Sequence, residues 1–491
     1  MKKLFFVLLV SLCAFVSAQD KPHVFLIMTD QQRGDCIGKE NPDIITPNLD
    51  KLADDGVWFS NGYSSVPSCT PARAGLLTGM SPWNHGMLGY YKVAEHYRYE
   101  MPQMLRDNGY YTLGIGKMHW HPQRNLHGFH QTFLDESGRV ESDDFESDYR
   151  TWFREQAPHL DPDATGIGWN EHRAGTYVLA ENLHPTYWTA QKAIDFVETY
   201  GEEKPLFMKV SFARPHSPYD PPKRYLDMYE GASIPEPYMG EWAGKFADYP
   251  ESKDAAFGDY GTNHALNSRR HYYAAITFID EQIGRFINVL KEKDMYDNAL
   301  IIFTSDHGDM LGDHNHWRKT YAYEGSTKVP FILKWPKNHT AGAKTSGEQL
   351  HCVELRDILP TMLDASGAEV PAEMDGQSMM NIVEGKDGEW REFIDLEHAT
   401  TYDEHNYWCA LTDGKMKYVW FFKTGEEQLF DLINDKGEER NLLTDAAYKK
   451  DMKQWRKRMI SHLRERGEPY VTKGKLTPFD KNILISPNYP Q

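Results

Sequence analysis

The chain has 491 residues, with 72 acidic residues against 54 basic ones and a formal net charge of −18. This length exceeds one ordinary hydrophobic core and predicts a large domain with a smaller one beside it. The negative field opposes a nucleic-acid backbone, which excludes nucleic acid as a partner, and an anionic substrate would need a local cluster of basic groups. Aromatic residues make up 13% of the chain, and those outside the core suit a carbohydrate site.

The first residues have the layout of a secretory signal. Lys2 and Lys3 precede an apolar run over residues 4–16, and small residues follow. We therefore expect residues 1–18 to be removed and the mature protein to be exported to the periplasm. A lipid anchor on Cys13 is disfavoured, because Leu12 before it is bulkier than lipoprotein signals tolerate. The run is too short for a bilayer and no comparable apolar stretch follows, so no membrane span is expected.

The cysteines do not form a disulfide scaffold. Cys13 lies in the predicted signal, and Cys69 is assigned to chemistry below. The remaining three, Cys36, Cys352 and Cys409, permit at most one disulfide among themselves.

Two apolar runs, over residues 23–28 and 299–304, lead directly into polar residues. Such runs are typical of strands buried on both faces of a parallel sheet, whose functional groups gather at the carboxyl ends of the strands. The polar residues are Asp30 and Gln31 after the first run, and Asp306 and His307 after the second. Oxygen ligands favour Ca²⁺ or Mg²⁺, while His307 admits a transition metal. A loop acid that caps the next helix is the alternative interpretation of Asp30.

A helix is predicted to begin near Thr70, with Cys69 at its N-terminus. Pro71 suits the first helical turn, because its missing N–H costs nothing there. The backbone N–H groups and the dipole at this end favour negative charge, and Arg73 adds a cation on the same side. Cys69 is therefore either an activated nucleophile or an ordinary buried thiol.

Two further strands are predicted over residues 110–116 and 205–212, and each leads to a histidine. The first leads to Lys117 and His119, whose side chains point the same way because residues two apart share a face of an extended segment. The second leads to His216, which has a proline on each side and is otherwise interpreted as structural. Zinc binding by the histidines that follow His119 is disfavoured, because their spacing is irregular and no cysteine accompanies them.

The alternation of strands and helices along the chain indicates an α/β sandwich with a mostly parallel sheet. An amphipathic helix is predicted over residues 269–291, and a strand over 329–334. Short hairpin strands and a helix over about 445–464 follow, which predicts a small antiparallel sheet with one helix packed on it. The predicted domains are a catalytic domain over residues 19–385 and a C-terminal subdomain over 386–491.

The stretch Cys69-Thr70-Pro71-Ala72-Arg73, followed by Ala74-Gly75-Leu76-Leu77-Thr78-Gly79, resembles the signature of the formylglycine-dependent sulfatases of the alkaline phosphatase-like superfamily. The similarity extends over nearly all of the mature chain. It implies an alkaline phosphatase-like sandwich with a large mixed sheet, and a maturation enzyme that oxidises Cys69 to formylglycine (3-oxoalanine), an aldehyde.

The resemblance also implies a metal site for one cation, usually Ca²⁺. The residues that it places around the cation are Asp30, Gln31, Cys69, Asp306 and His307. The commoner pattern has two adjacent aspartates at the first segment, where this chain has Asp30 and Gln31. The neutral amide removes one charge, which leaves Mg²⁺ as the alternative metal.

By the same resemblance, Lys117, Lys319 and Arg73 hold the sulfate, since negative charge develops on its oxygens. The hydrated aldehyde at position 69 attacks sulfur, and His216 protonates the leaving sugar oxygen. His119 then takes a proton from the second hydroxyl, which expels sulfate and restores the aldehyde.

Residues 81–90, 116–120 and 211–219 look most like bacterial uronate 2-O-sulfatases that act on heparin, heparan or chondroitin fragments. A uronate needs further cations. The candidates, chosen on polarity alone and each with surface charge as its alternative interpretation, are Arg124, Arg173, His172 and Arg318. The alternative substrates are another sulfated sugar, an aryl sulfate, or a phosphate or phosphonate ester. A non-catalytic glycan-binding protein is disfavoured, because the residues of the proposed reaction are all present.

Overall fold

The structure is a computed structural model that describes residues 21–136, 139, 142–248, 252–337, 345–386, 388 and 390–490. The predicted signal over residues 1–18 and the alternative lipid anchor at Cys13 lie outside the described residues, so export stays a prediction. Among the helices that are described, none is both long enough and apolar enough to cross a bilayer.

A large mixed sheet forms the centre of the molecule. Its strands are β1 (His23–Asp30), β2 (Val57–Tyr63), β3 (Tyr111–Gly116), β4 (Gln131–Leu134), β5 (Leu206–Pro215), β6 (Ala299–Ser305), β7 (Phe331–Lys334) and β8 (Gly347–Glu354). Within the described chain these eight strands lie in the order β4-β3-β5-β1-β6-β7-β2-β8. Strand β7 runs antiparallel to β6 and β2, and the other neighbours are parallel. The predicted mostly parallel sheet is confirmed.

Helices cover both faces of this sheet. The helices are α1 (Pro47–Asp54), α2 (Cys69–Thr78), α3 (Pro82–His85), α4 (Met101–Asp107), α5 (Asp148–Gln156), α6 (Pro185–Thr199), α7 (Lys223–Asp227), α8 (Thr262–Glu292), α9 (Glu324–Thr327), α10 (Ile358–Ala365), α11 (Met380–Val383) and α12 (Lys449–Leu463). On β1, Val24 and Leu26 pack with α2, α4, α10 and α11, whereas Phe25 and Ile27 pack with α1, α6 and α8. Because alternate side chains point to opposite faces, both faces of β1 are buried, which explains its continuous apolar run.

A second, antiparallel sheet follows toward the C-terminus. Its strands are β9 (Ile394–His398), β10 (Trp408–Thr412), β11 (Met416–Phe421) and β12 (Glu427–Asp431), in the order β12-β11-β10-β9. Helix α12 packs on one face through Trp455 and Met459, and the other face packs on the large domain through Trp408 and Val419. A short pair, β13 (Val471–Thr472) and β14 (Lys475–Leu476), follows as the last strands of the described chain. The small sheet with its helix is confirmed, and the domain boundary at residue 385 stays a prediction.

Helix α8 extends further toward its N-terminus than predicted and stabilises α1. Thr46, which precedes α1, makes no side-chain capping bond. Instead, the Asp280 carboxylate on α8 accepts hydrogen bonds from the backbone N–H groups of Asn48 at 3.1 Å and Leu49 at 2.8 Å. These are orphan donors of the first turn of α1, so Asp280 caps one helix from another.

Candidate active site

Cys69 is the first residue of α2, one residue earlier than the predicted start, and it is buried. Ser68 before it is extended, and its Oγ lies 2.7 Å from Nε2 of His398 in the small sheet. Gly79, in the left-handed conformation with φ 68°, ends the helix. The cysteine is therefore held at a helix N-terminus between the two sheets.

The adjacent strands β1 and β6 bring the two predicted carboxylates together. Thr29 pairs with Ser305, so Asp30 and Asp306 leave the sheet side by side. The Sγ atom of Cys69 lies 3.8 Å from Oδ1 of Asp30 and 3.2 Å from Nε2 of His307. One ligand-type atom from each of Asp30, Cys69, Asp306 and His307 lies within 4.8 Å of all the others.

The chemistry of this cluster fits a divalent cation. The pKa of Asp306 is raised, because the carboxylate is buried and because the charge of Asp30 repels its ionised form. The Nδ1 atom of His307 lies 2.9 Å from the carbonyl oxygen of Gly308, which can only accept. That bond places the hydrogen on Nδ1 and leaves Nε2 free to act as a ligand.

Cationic side chains surround the carboxylates. Arg73 donates from Nε to Asp306 at 2.9 Å and from Nη2 to Asp30 at 3.1 Å. Nζ of Lys117 lies 2.5 Å from Oδ2 of Asp30. Burial opposes the ionisation of Asp30, but Lys117, His216 and Arg73 outweigh it and hold its pKa well below the ordinary value.

Cys69 differs electrostatically from the other described cysteines, which are all buried and unpaired. Burial and Asp30 raise the pKa of the Cys69 thiol, yet Lys319 and Lys117 outweigh them and lower it well below the ordinary value. The Nζ atom of Lys319 lies 3.3 Å from Sγ. Burial raises the pKa of the thiols of Cys36, Cys352 and Cys409. Among the four, the charge pattern thus favours an anion at position 69.

Gln31 joins two parts of the site. Its backbone N–H donates to Oδ1 of Asp306 at 3.0 Å, and its Nε2 donates to Oδ2 of Asp309 at 2.6 Å. Its Oε1 accepts from Nζ of Lys319 at 2.8 Å. The amide therefore orients Lys319 toward Cys69, and its role as a metal ligand stays a prediction.

The two predicted catalytic histidines face one cleft of about 790 Å³, together with Cys69 and Lys319. The backbone N–H of His119 donates to Oε1 of Glu136 at 2.9 Å. His216 donates from its backbone N–H to the carbonyl oxygen of Asp30 at 3.0 Å. Burial and then the charge of Lys319 lower the pKa of His216 well below its ordinary value.

Aromatic side chains that the sequence reasoning did not single out form the walls of the cleft: Tyr90, Tyr91, Trp169 and Tyr402. Trp169 stacks on His216. Trp169 and Tyr402 lie in irregular segments with no periodic pattern, so only the fold places them here.

The remaining predicted residues lie elsewhere. Arg73 and Lys117 have fully buried side chains and are not among the described residues that line the cleft. Arg124 donates to Asp148, Arg173 pairs with Glu171, and His172 shares a hydrogen bond with His264. Arg318 lies behind the cleft wall, with its guanidinium 4.3 Å from the ring centre of Tyr402. Substrate binding by Arg124, Arg173 and Arg318 stays a prediction.

Comparison with known proteins identifies the family. The sequence profile named Sulfatase matches residues 22–368. The chain belongs to the sulfatase family. A second profile, N-sulphoglucosamine sulphohydrolase, C-terminal, matches residues 312–465 of this sulfatase.

Relatives of the sulfatase span nearly its whole length. An arylsulfatase of Clostridium perfringens is 41% identical over 474 residues, which cover 93% of this chain and 97% of that protein. A choline-sulfatase of Rhizobium meliloti is 32% identical, with coverages of 86% and 82%. A phosphonate monoester hydrolase of Agrobacterium radiobacter has a similar structure, with a TM-score of 0.76, 25% identity and coverages of 91% and 96%. The sulfatase is a hydrolase of sulfate esters, and the uronate 2-O specificity stays a prediction.

Proposed function

We propose that this sulfatase removes the 2-O-sulfate of a uronic acid in heparin, heparan or chondroitin fragments, after a maturation enzyme has converted Cys69 to formylglycine. The observation that supports this most is that two polar groups lie close to Sγ of Cys69: Nε2 of His307 at 3.2 Å and Nζ of Lys319 at 3.3 Å. The cleft above it has aromatic walls and about 790 Å³, which suits a sugar larger than one ring.

The metal would be held by Asp30, Asp306 and His307, together with the group at position 69 and the amide of Gln31. Hard carboxylate oxygens favour Ca²⁺, with Mg²⁺ as the alternative. When bound, the cation would supply positive charge that offsets the two carboxylates and polarises the sulfate. Arg73 would act by positioning, since its buried guanidinium holds both Asp30 and Asp306.

The aldehyde hydrate would supply the nucleophilic oxygen at the place that Sγ takes in the unmodified chain. Lys319 lines the cleft and is held by Gln31, so it would contact the sulfate oxygens directly. Lys117 is buried against Asp30 and would attract the sulfate through its field. Both groups stabilise negative charge more strongly in a buried site than they would in water.

His216 would act as the general acid. Its Nδ1 lies 2.9 Å from the carbonyl oxygen of Ser217, so Nδ1 carries the hydrogen and Nε2 is the atom that gains and gives a proton. In the free site the pKa of His216 is lowered by burial and by Lys319. A bound sulfate ester would offset the charge of Lys319 and raise that pKa, so His216 would take up a proton from water when the ester, which itself carries none, binds. His119 would take the proton in the second half of the reaction.

An aryl sulfate is the second candidate substrate, because the Clostridium perfringens relative named arylsulfatase is 41% identical. A phenolate leaves without a proton, so this substrate would depend less on His216 than a sugar does.

A substrate panel tests the proposal. Protein matured in a host that installs the aldehyde is incubated with unsaturated disaccharides that carry one sulfate each, at the uronate 2-O position or on the amino sugar. 4-Nitrophenyl sulfate and phenyl phosphonate esters are included, and product is quantified by chromatography. We expect kcat/KM to be highest for the 2-O-sulfated uronate, and a higher value for any other substrate would overturn the assignment.

A further inference from the structure

A second cavity, of about 340 Å³, lies outside the cleft that holds Cys69. Its lining is dominated by rings, and we call it the aromatic cavity after Phe246, Phe257, His316, Tyr321, Tyr323 and Phe421. Phe246, Phe257 and Phe421 are only partly buried, so they present ring surface to the space between them. Partly exposed rings gathered around one space are typical of a ligand site rather than of a core.

The tyrosines of the aromatic cavity are held in place by hydrogen bonds. The Tyr321 hydroxyl donates to the carbonyl oxygen of Ala256 at 3.0 Å, and that of Tyr323 donates to Oε1 of Gln428 at 3.1 Å. Trp242 stacks on Tyr323 with ring centroids 4.5 Å apart. The cavity is therefore formed before any ligand arrives, which lowers the entropy that binding costs.

His316 is an almost fully buried member of this lining, with 2% of its surface exposed. Its ring centroid lies 4.2 Å from that of Phe246 and 4.1 Å from that of Tyr321, so the ring is fixed between them.

The aromatic cavity shares two stretches of chain with the cleft. Lys319 lines the cleft and Tyr321, two residues on, lines the aromatic cavity. In the same way Tyr402 lines the cleft and Asp403 lines the aromatic cavity. Consecutive Cα atoms are only about 3.8 Å apart, so the two sites are separated by little more than the thickness of these segments. The two segments are hydrogen-bonded to each other, because the Asn406 side chain donates to the carbonyl oxygen of Thr320 at 3.1 Å.

We propose that the aromatic cavity binds a pyranose ring, namely a sugar unit of the oligosaccharide other than the one that loses sulfate. Flat rings stack on the C–H faces of a sugar, and its hydroxyls need both donors and acceptors nearby. Lys245 and Glu426, which pair with each other at 3.4 Å, and Asp403 supply donors and acceptors in the same lining. That the ring belongs to the substrate oligosaccharide rests on the proposed function. That the cavity binds a pyranose ring does not.

Two variants test this without touching the proposed catalytic residues. Phe246→Ala removes one stacking ring, and Thr424→Trp fills the cavity from its rim. Tyr238→Ala is the matched control, because this ring is 38% exposed and lies outside the aromatic cavity. Circular dichroism checks that each variant folds.

Binding of an unsulfated glycosaminoglycan tetrasaccharide is measured by saturation-transfer NMR and calorimetry. We expect the full-length protein and the Tyr238→Ala control to bind it, and both cavity variants to bind about tenfold more weakly. No binding to the unaltered protein, or equal binding by all four proteins, would overturn the proposal.

Turnover separates this proposal from the proposed function. For a sulfated tetrasaccharide we expect the cavity variants to lose about tenfold in kcat/KM, with 4-nitrophenyl sulfate unaffected. If the unaltered enzyme releases no sulfate from the tetrasaccharide but binds its unsulfated form in the cavity, the proposed function fails and the cavity assignment stands. If all four proteins turn over the sulfated tetrasaccharide equally well, the cavity assignment fails and the proposed function stands.

Discussion

The indole of Trp169 lies against the imidazole of His216, with ring centroids 4.3 Å apart and planes inclined by 21°. The same indole centre lies 4.8 Å from Nζ of Lys117. Ser217, the next residue after His216, donates from Oγ to the carbonyl oxygen of Gly168 at 3.2 Å, which ties the two segments together. One aromatic side chain thus supports both the proposed acid and a proposed sulfate-attracting cation.

Trp169→Ala should therefore lower kcat more for a poor leaving group than for a good one. Without the stack, His216 is free to leave the position from which it protonates a sugar oxygen, and a misplacement of this kind costs about 100-fold. A nitrophenolate needs no proton, so 4-nitrophenyl sulfate should lose much less. Trp169→Phe, which keeps a stacking ring, should retain most of the activity on sugar sulfates. Equal losses on both substrates would indicate a merely structural role.

Gln31→Glu should destabilise the protein, although the two side chains have the same shape. The change replaces an N–H donor by an oxygen 2.6 Å from the Asp309 carboxylate, in a buried position. Loss of such a buried hydrogen bond costs about 1–3 kcal/mol. Urea denaturation at neutral pH measures the change in unfolding free energy.

Gln191→Glu is the matched control for Gln31→Glu. Gln191 also donates to an aspartate, Asp195, at 2.8 Å, but it is only partly buried on helix α6. Water screens the new carboxylate there, so the control should change stability by less than about 0.5 kcal/mol. Similar costs at both positions would contradict the structural role given to Gln31.

Removal of the metal should lower both activity and thermal stability. If the cluster of Asp30, Cys69, Asp306 and His307 binds Ca²⁺, free Ca²⁺ at 100 times its Kd adds about 2.7 kcal/mol to the unfolding free energy. Calorimetry with and without a chelator measures this as a shift in Tm. Asp306→Asn should abolish the shift, and Asp163→Asn, an exposed control, should keep it. A Tm indifferent to Ca²⁺ and Mg²⁺ in the unaltered protein would contradict a metal site.

The contribution of Asp280 to stability should fall as pH rises. Burial raises its pKa from 3.8 to about 6, so the folded state binds a proton more tightly than the unfolded chain does. Its contribution is therefore fully present below pH 3.8 and is lost as pH rises through about 6. Relative to Asp280→Asn, the unaltered protein should lose on the order of 3 kcal/mol over this range. Denaturation at several pH values measures the difference in unfolding free energy between the two proteins. A difference that does not change with pH would contradict the prediction. Asp195→Asn, exposed on α6, is the control.

Much of the fold was predictable because its central strands are buried on both faces. Strands β1 and β6 are continuous apolar runs, and the parallel arrangement then brings Asp30 and Asp306 to one edge. Strand β2, with Ser60, Asn61 and Gly62, has no such run and is a strand because β7 and β8 pair with it. Strand β2 depends on pairing with strands that are distant in sequence, so no local sequence pattern predicts it.

The site was predictable where a motif carries it and not where loops carry it. Pro71 marks the start of α2, and with it the place of Cys69. Trp169 and Tyr402 reach the cleft from irregular segments, and the partnership of Gln31 with Asp309 depends on contacts that only the folded chain makes. Sequence spacing identifies which groups the chemistry needs, and tertiary packing decides what holds them.

In the proposed reaction the working group is an aldehyde at position 69, and the mass of the peptide that carries residue 69 is the sharpest check of it. The peptide is taken from enzyme purified in a form that hydrolyses a sulfate ester, and the fraction converted is compared with specific activity across preparations. We expect the mass to be that of formylglycine, activity to rise in proportion to the converted fraction, and Cys69→Ala to be folded but inactive. Full activity in protein whose peptide has the mass of unmodified cysteine would contradict it.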